Sequence, residues 1–145
     1  MKNTEDISAV RHCACANIRR ADRVITGFYD EILAPSGLRT TQFTLLATLA
    51  QTGSMTINGL AEVMVMDRTT LTRNLGPLTK QGLVQVEEGA DRRTRQVHLT
   101  SGGEQALRRA LPLWQQAQSH VVHALGQEQF DHLLTDLSVL QASVK

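Results

Sequence analysis

Two seven-residue series run side by side through the start of the chain: Ile7, Ala14, Ala21 and Phe28 in one, Ile18, Ile25 and Ile32 in the other. This spacing predicts a long amphipathic helix that stops before Pro35-Ser36-Gly37. A similar stripe closes the chain, through Phe130, Leu133, Leu134, Leu137, Leu140 and Val144. Between them, Glu104 to Leu125 reads as a third helix with Leu107, Leu111, Trp114 and Val121 inward and a kink at Pro112. Two amphipathic helices at opposite ends of a small chain present more apolar face than one short domain can satisfy. They are expected to pack on each other and on a second copy, the alternative being a purely intramolecular bundle.

The middle of the chain changes pattern at each turn. Thr56 is a plausible N-cap for a short helix with Ile57, Leu60, Val63 and Met64 on one face, and the small Ala61 leaves room for a crossing helix. A second helix opens near Asp67, where Leu71, Leu75 and Leu78 share one stripe while Thr69, Arg73 and Lys80 lie opposite, flanked by Thr70 and Thr72. Pro77 lacks the N–H that would bond the Arg73 carbonyl, so a bend is expected there, with the helix ending near Leu75 as the competing reading. After Gly82 the residues Leu83 to Glu87 and Arg95 to Leu99 alternate as two strands, and the intervening stretch 88–94 has room only for a hairpin loop. Arg92, Arg93 and Arg95 project from its end, and a carboxylate–guanidinium pair between Asp91 and Arg93 would shape the loop.

A helix, a tight turn, a second helix and a basic hairpin form the arrangement that can read a DNA duplex: one helix enters the major groove and basic residues reach the phosphates and the minor groove. Arg68, Thr69, Thr70, Thr72 and Arg73 are the readout candidates, since Arg pairs with guanine and Thr offers a hydroxyl or a methyl. Asp91, Arg92 and Arg93 are the wing candidates.

Composition adds limits. The 145 residues suit a single domain, and 41% hydrophobic content with 3% aromatic content suggests packed helices with an aliphatic core. The net charge of +1 does not advertise nucleic acid. Within 67–95, however, Arg68, Arg73, Lys80, Arg92, Arg93 and Arg95 outnumber Asp67, Glu87, Glu88 and Asp91, so useful affinity calls for two copies.

Leu60-Ala61-Glu62, the run Asp67-Arg68-Thr69-Thr70-Leu71-Thr72-Arg73, Gly82-Leu83-Val84, and Asp91-x-Arg93 followed by Leu99-Thr100 together resemble the MarR family of bacterial winged-helix regulators. The Asp-x-Arg wing followed by Leu-Thr is the most specific part, and the likeness covers nearly all of the chain. It implies a mainly α fold with a small β-hairpin wing, in one domain of residues 1–145. A winged helix-turn-helix would occupy 38–100, and 5–35 with 104–145 would form a helical dimerisation region. It further implies a homodimeric repressor on a palindromic double-stranded operator, with Arg93 and its neighbour Arg92 going toward the minor groove. A small aromatic or amphipathic effector would bind between the two units, where Trp114 and His12 are potential lining residues.

Cys13 and Cys15 raise a second possibility. Placed at i and i+2 on a helix they point roughly 200° apart and do not readily bond to each other. Cys15, fourteen residues before Tyr29, resembles the sensing cysteine of the organic-hydroperoxide branch of the family, with Arg11, His12 and Arg19 close by on the same helix. That branch uses further tyrosines, and the corresponding stretch here reads Arg39-Thr40-Thr41-Gln42-Phe43. The alternative function is therefore a peroxide-sensing repressor using Cys15. An alternative of another class is a protein-interaction module of the same fold that no longer binds DNA.

No phosphate loop, serine elbow or carboxylate pair suggests an enzyme, and no cofactor is expected. His120-x-x-His123 with His12 or Asp131 would be a metal site of low specificity, and none is expected. Without a signal peptide, a membrane-spanning run or a disulfide framework, the expected location is a reducing cytoplasm.

Overall fold

The computed structural model describes residues 7–91 and 93–144. A 3-10 turn at Ala9–His12 leads into α1 (Ala14–Leu33), and a second such turn, Ala34–Ser36, leads into α2 (Thr40–Thr52). Then come β1 (Met55–Thr56), α3 (Ile57–Met64), α4 (Arg68–Lys80), β2 (Val84–Glu88), β3 (Arg95–Leu99), α5 (Ser101–Leu125) and α6 (Gln127–Ser143). The strands form an antiparallel sheet in the order β1-β3-β2. The chain is mainly α with a small wing, as its pattern implies.

The N-terminal helix is shorter than its heptads suggest. Cys13 is extended, with φ −63° and ψ 118°, and the Asn17 side-chain amide donates to the carbonyls of both Cys13 (2.8 Å) and Arg11 (2.9 Å). These bonds complete a turn ahead of the helix, so Ile7 falls outside it and Cys13 lies at its edge. The i, i+2 helical geometry expected for the two cysteines is therefore not found. At the other end Gly37 takes φ +77°, and the Ser36 hydroxyl donates to the Leu33 carbonyl at 2.6 Å. The turn is closed by Asp30, whose carboxylate accepts the Thr40 N–H at 2.7 Å and so anchors α2 on α1.

α2 is the centre of the core, and its pattern conceals it. Phe43, Leu45, Leu46 and Leu49 are all buried on one broad face, while Thr44 and Gln51 are exposed on the other, a contrast that threonine makes weak. The buried side chains meet Leu33 from α1, Ile57 and Leu60 from α3, Leu71, Leu75 and Leu78 from α4, and Val84 and Val97 from the sheet. Val63, expected on the inner face of α3, is instead exposed.

α5 turns a different face inward from the one its large residues suggest. Gly103, Ala106, Ala110 and Ala117 are buried, whereas Leu111 is 40% exposed and Leu107 and Trp114 pack at the edge of the core. Small residues let the helix axis come close to α1 and α2, and that approach leaves no room for a leucine stripe. The helix continues through Pro112. α6 folds back on α5, yet Leu133, Leu134, Val139 and Leu140 remain exposed.

One residue holds a costly conformation. Val65, in the turn between α3 and α4, has φ +52° and ψ +46°, and its own N–H closes the end of α3 on the Glu62 carbonyl at 3.1 Å. A β-branched residue is strained there, where glycine is the usual occupant. Val65→Gly is expected to raise stability by about 0.5–1 kcal/mol, the strain relieved less the added freedom of the unfolded glycine. Urea denaturation measures it, and a decrease in stability would show that the side chain, 68% exposed, makes up for the strain.

Candidate nucleic-acid interface

The first turn of α4 is set by Asp67. Its carboxylate accepts the Thr70 N–H at 2.7 Å and the Thr70 hydroxyl at 2.9 Å, closing the exposed N-terminus of the helix. The bond from the Thr70 backbone holds the Asp67 carboxyl below its ordinary value of 3.8, with the Thr70 hydroxyl next in effect and the Arg73 charge a smaller aid. A lowered folded value means that the cap is intact above the ordinary carboxylate value and is lost as pH falls through the lower one. The Thr70 amide resonance is therefore expected to hold its position down to the ordinary value of 3.8 and to move only below it. In Asp67→Ala that resonance should be displaced at every pH.

Beyond the cap, Leu71, Leu75 and Leu78 fix the rotation of α4 against the core. The opposite face then carries Arg68, Thr69, Thr72 and Arg73, all exposed, around a shallow hollow of about 440 Å³. Thr70 is half-buried with its hydroxyl committed to Asp67, so it shapes the turn from which its neighbours project. The Thr72 hydroxyl donates to the Arg68 carbonyl at 2.8 Å, leaving its methyl and an oxygen lone pair for an outside partner. α4 does not end near Leu75: it stays helical through Pro77 to Lys80 and stops at Gly82, where φ is +73°.

The wing loop is closed by backbone and carboxylate bonds. The Gly89 N–H donates to the Thr94 carbonyl (2.7 Å), and the Thr94 N–H and hydroxyl both donate to the Asp91 carbonyl (2.9 Å each). The Asp91 carboxylate accepts the backbone N–H of Arg93 at 3.2 Å. That replaces the carboxylate–guanidinium pair expected from sequence. Among the described residues the ion pair is Arg108–Glu104, and His98 contacts Glu87 at 3.3 Å, so the exposed Arg93 guanidinium is uncommitted. Arg92 lies outside the described residues.

The base of the wing is joined to α5. Thr100 caps α5 by accepting the Gly103 N–H at 3.0 Å, while its hydroxyl donates to the Gly82 carbonyl at 2.6 Å and its own N–H to the Leu83 carbonyl at 3.2 Å. Gly103 packs against that Leu83 carbonyl, with no space for a Cβ.

Away from this surface lie two further features. Cys13 and Cys15 are exposed and, with Ala16, Arg19, Arg20 and Arg23, line a hollow of about 390 Å³. Tyr29 does not face them within the chain: its hydroxyl donates to Gln118 on α5 at 2.6 Å, and burial pushes the phenol up. An apolar groove of about 670 Å³ runs between α1 and α6, lined mainly by Ile18, Ala21, Val24, Ile25, Leu133 and Leu137. Trp114 stacks on Phe43 with ring centroids 5.9 Å apart, His12 is exposed in the first 3-10 turn, and His120 packs on Phe28 at 5.0 Å. No group of three or more His, Cys, Asp or Glu side chains among the described residues could hold a metal ion.

Two crossed helices, the second with an exposed Arg/Thr face, followed by a two-stranded wing tipped by arginine, define a winged helix-turn-helix. The sequence pattern of the MarR family matches residues 38–94. The fold matches that of the M. tuberculosis transcriptional regulator MosR in complex with DNA, at 41% identity over 90% of this chain and 96% of that one, with a TM-score of 0.83. A second MosR structure matches at 36% identity over 93% and 97% of the two chains, again with a TM-score of 0.83. The uncharacterised HTH-type transcriptional regulator YwoH of Bacillus subtilis is 32% identical over 87 residues, which span 60% of this chain and 64% of YwoH. The chain belongs to the MarR family. Its members are transcriptional regulators and not enzymes, in accord with the regulator reading of the sequence.

Proposed function

We infer that the protein is a sequence-specific repressor that binds a palindromic DNA operator as a homodimer and is released by a small aromatic or amphipathic effector. One observation carries this reading: Arg68, Thr69, Thr72 and Arg73 stand exposed on a helix whose other side is locked into the core, with the unpaired Arg93 on the wing of the same unit. Groups that read base edges must be both free and rigidly held. The relative MosR is described in complex with DNA. In this reading 38–100 is the DNA unit, 5–35 with 104–145 is the dimerisation region, and the protein works in the cytoplasm beside its operator. No helix among the described residues is long and apolar enough to cross a membrane.

The groove between α1 and α6 supports the dimer, because Ile18, Val24, Ile25 and Leu133 are exposed apolar side chains beside one another. Leu133→Glu is expected to convert dimer to monomer in sedimentation while helix content is unchanged. A variant that stays dimeric would place the interface elsewhere. The DNA reading is tested by salt: with about six or more phosphates contacted, affinity should fall about a thousandfold between 50 and 200 mM salt. Binding insensitive to salt would favour the protein-interaction module.

A second route of release has its own observation. Cys15 is exposed on the rim of a hollow lined by Arg19, Arg20 and Arg23, where an oxidant can reach it. In this reading peroxide oxidises Cys15 and loosens DNA. A Cys15→Ser variant that still releases operator on peroxide treatment excludes it.

A further inference from the structure

Three polar side chains on the outer face of the wing sheet belong to neither the readout face nor the wing tip. Ser54, just before β1, has its hydroxyl 2.5 Å from His98 Nδ1 on β3, and His98 Nε2 lies 3.3 Å from a Glu87 carboxylate oxygen on β2. In the tautomer with its proton on Nε2, Nδ1 accepts from the Ser54 hydroxyl, and the Glu87 carboxylate is an electrostatic neighbour of the Nε2–H rather than an aligned hydrogen-bond acceptor. The arrangement follows from register. β1 pairs with β3 at Met55↔Val97 and Thr56↔Gln96, so Ser54 is next in line opposite His98, while Gln85↔His98 and Glu87↔Gln96 put Glu87 diagonally across from the imidazole. Met55, Val86 and Val97 point to the core from the other face.

We propose that Ser54, His98 and Glu87 form a brace that fixes the tilt of the wing, making His98 a positioning residue for DNA binding through Arg93. The inference rests on the DNA-binding reading above. β1 is only two residues long and reaches β3 alone, so β2 meets this edge of the sheet through β3. On the outer face the His98 side chain links the Ser54 corner directly to β2, one residue short of the strand end from which the wing loop departs. Without it the ribbon is held in the core chiefly by Val84 and Val97, near its base and middle. The brace contributes little to folding, because the His98 and Glu87 side chains are 36% and 51% exposed. Its effect is on where the wing arginine sits.

The test is a double-mutant cycle on operator binding. His98→Ala and Ser54→Ala are expected to weaken binding about threefold to tenfold with unchanged thermal stability, and Ser54→Thr, which keeps the hydroxyl, to restore it. In an Arg93→Ala background, His98→Ala should cost less than about twofold more, because the brace acts through that arginine. Equal losses in both backgrounds, or no loss in either, overturn the proposal. Amide hydrogen exchange on the free protein reads the brace without DNA: in His98→Ala, exchange at Val86 to Glu88 should quicken while α4 is unchanged. Unchanged exchange at those residues would overturn the brace, even if the protein proves not to bind DNA at all. Quickened exchange in a protein that binds no DNA would uphold the brace, overturn its role in DNA binding, and count against the repressor reading.

Discussion

Replacing Arg73 by alanine is expected to weaken operator binding by roughly tenfold to a hundredfold, with a much smaller change on unrelated DNA. Arg73 lies one turn beyond the capped N-terminus of α4, exposed with Arg68, Thr69 and Thr72, and a bidentate arginine–guanine pair is worth about 1–3 kcal/mol of discrimination. The loss should fall on preference at one base pair of each half-site. Arg93→Ala should differ in kind, lowering affinity for most sequences alike and flattening the salt dependence. Competition mobility shifts with a panel of single-base operator variants separate the two. Equal losses on every sequence from both substitutions would contradict the division of roles between helix and wing.

The largest stability effect is expected at Gly103. A Cβ there would run into the Leu83 carbonyl oxygen and come within 2.7 Å of Leu99 Cδ1. The carbonyl is backbone and also accepts the Thr100 N–H, so it has little freedom to retreat. Gly103→Ala is expected to cost about 3 kcal/mol, at the upper end for overpacking, because α5 must move off the base of the wing. Thermal unfolding measures it. Gly102→Ala is the control: its Cβ would meet no atom nearer than 3.4 Å, so only a small change is expected. A Gly103→Ala protein of native stability would mean that α5 and the wing are not closely fused.

The parts of this fold that were legible in the sequence depend on a few neighbouring residues. Thr56 and Asp67 are caps because a small polar side chain there meets the N–H three residues on. Leu71, Leu75 and Leu78 point inward as their spacing predicts, and β3 occupies the expected residues Arg95 to Leu99. What was hidden depends on distant partners. α2 buries Phe43, Leu45, Leu46 and Leu49 against α1, α3, α4 and the sheet, but its outer face is largely threonine rather than charged residues, so the stripe stands out weakly. The inward face of α5 is alanine because neighbouring helices come close, which the larger Leu111 and Trp114 obscure. The break at Cys13 is made by the Asn17 side chain, and the heptad pattern runs straight across it.

The candidate site divides in the same way. That Arg68, Thr69, Thr72 and Arg73 share an exposed face follows from helical spacing alone. That Thr70 is tied to Asp67 and that Asp91 holds the Arg93 backbone are choices among several nearby donors, which geometry decides. The Ser54–His98–Glu87 contact needs the register of three strands, so no local pattern could announce it.

The most direct test of the central claim is hydroxyl-radical footprinting of the wild-type protein on the intergenic DNA beside its own gene, repeated with Arg73→Ala. The account predicts two protected half-sites of an inverted repeat, about 10 bp apart centre to centre on one face of the duplex, and loss of that protection in the variant. Uniform protection without half-sites, or none at low salt from folded dimeric protein, would contradict it.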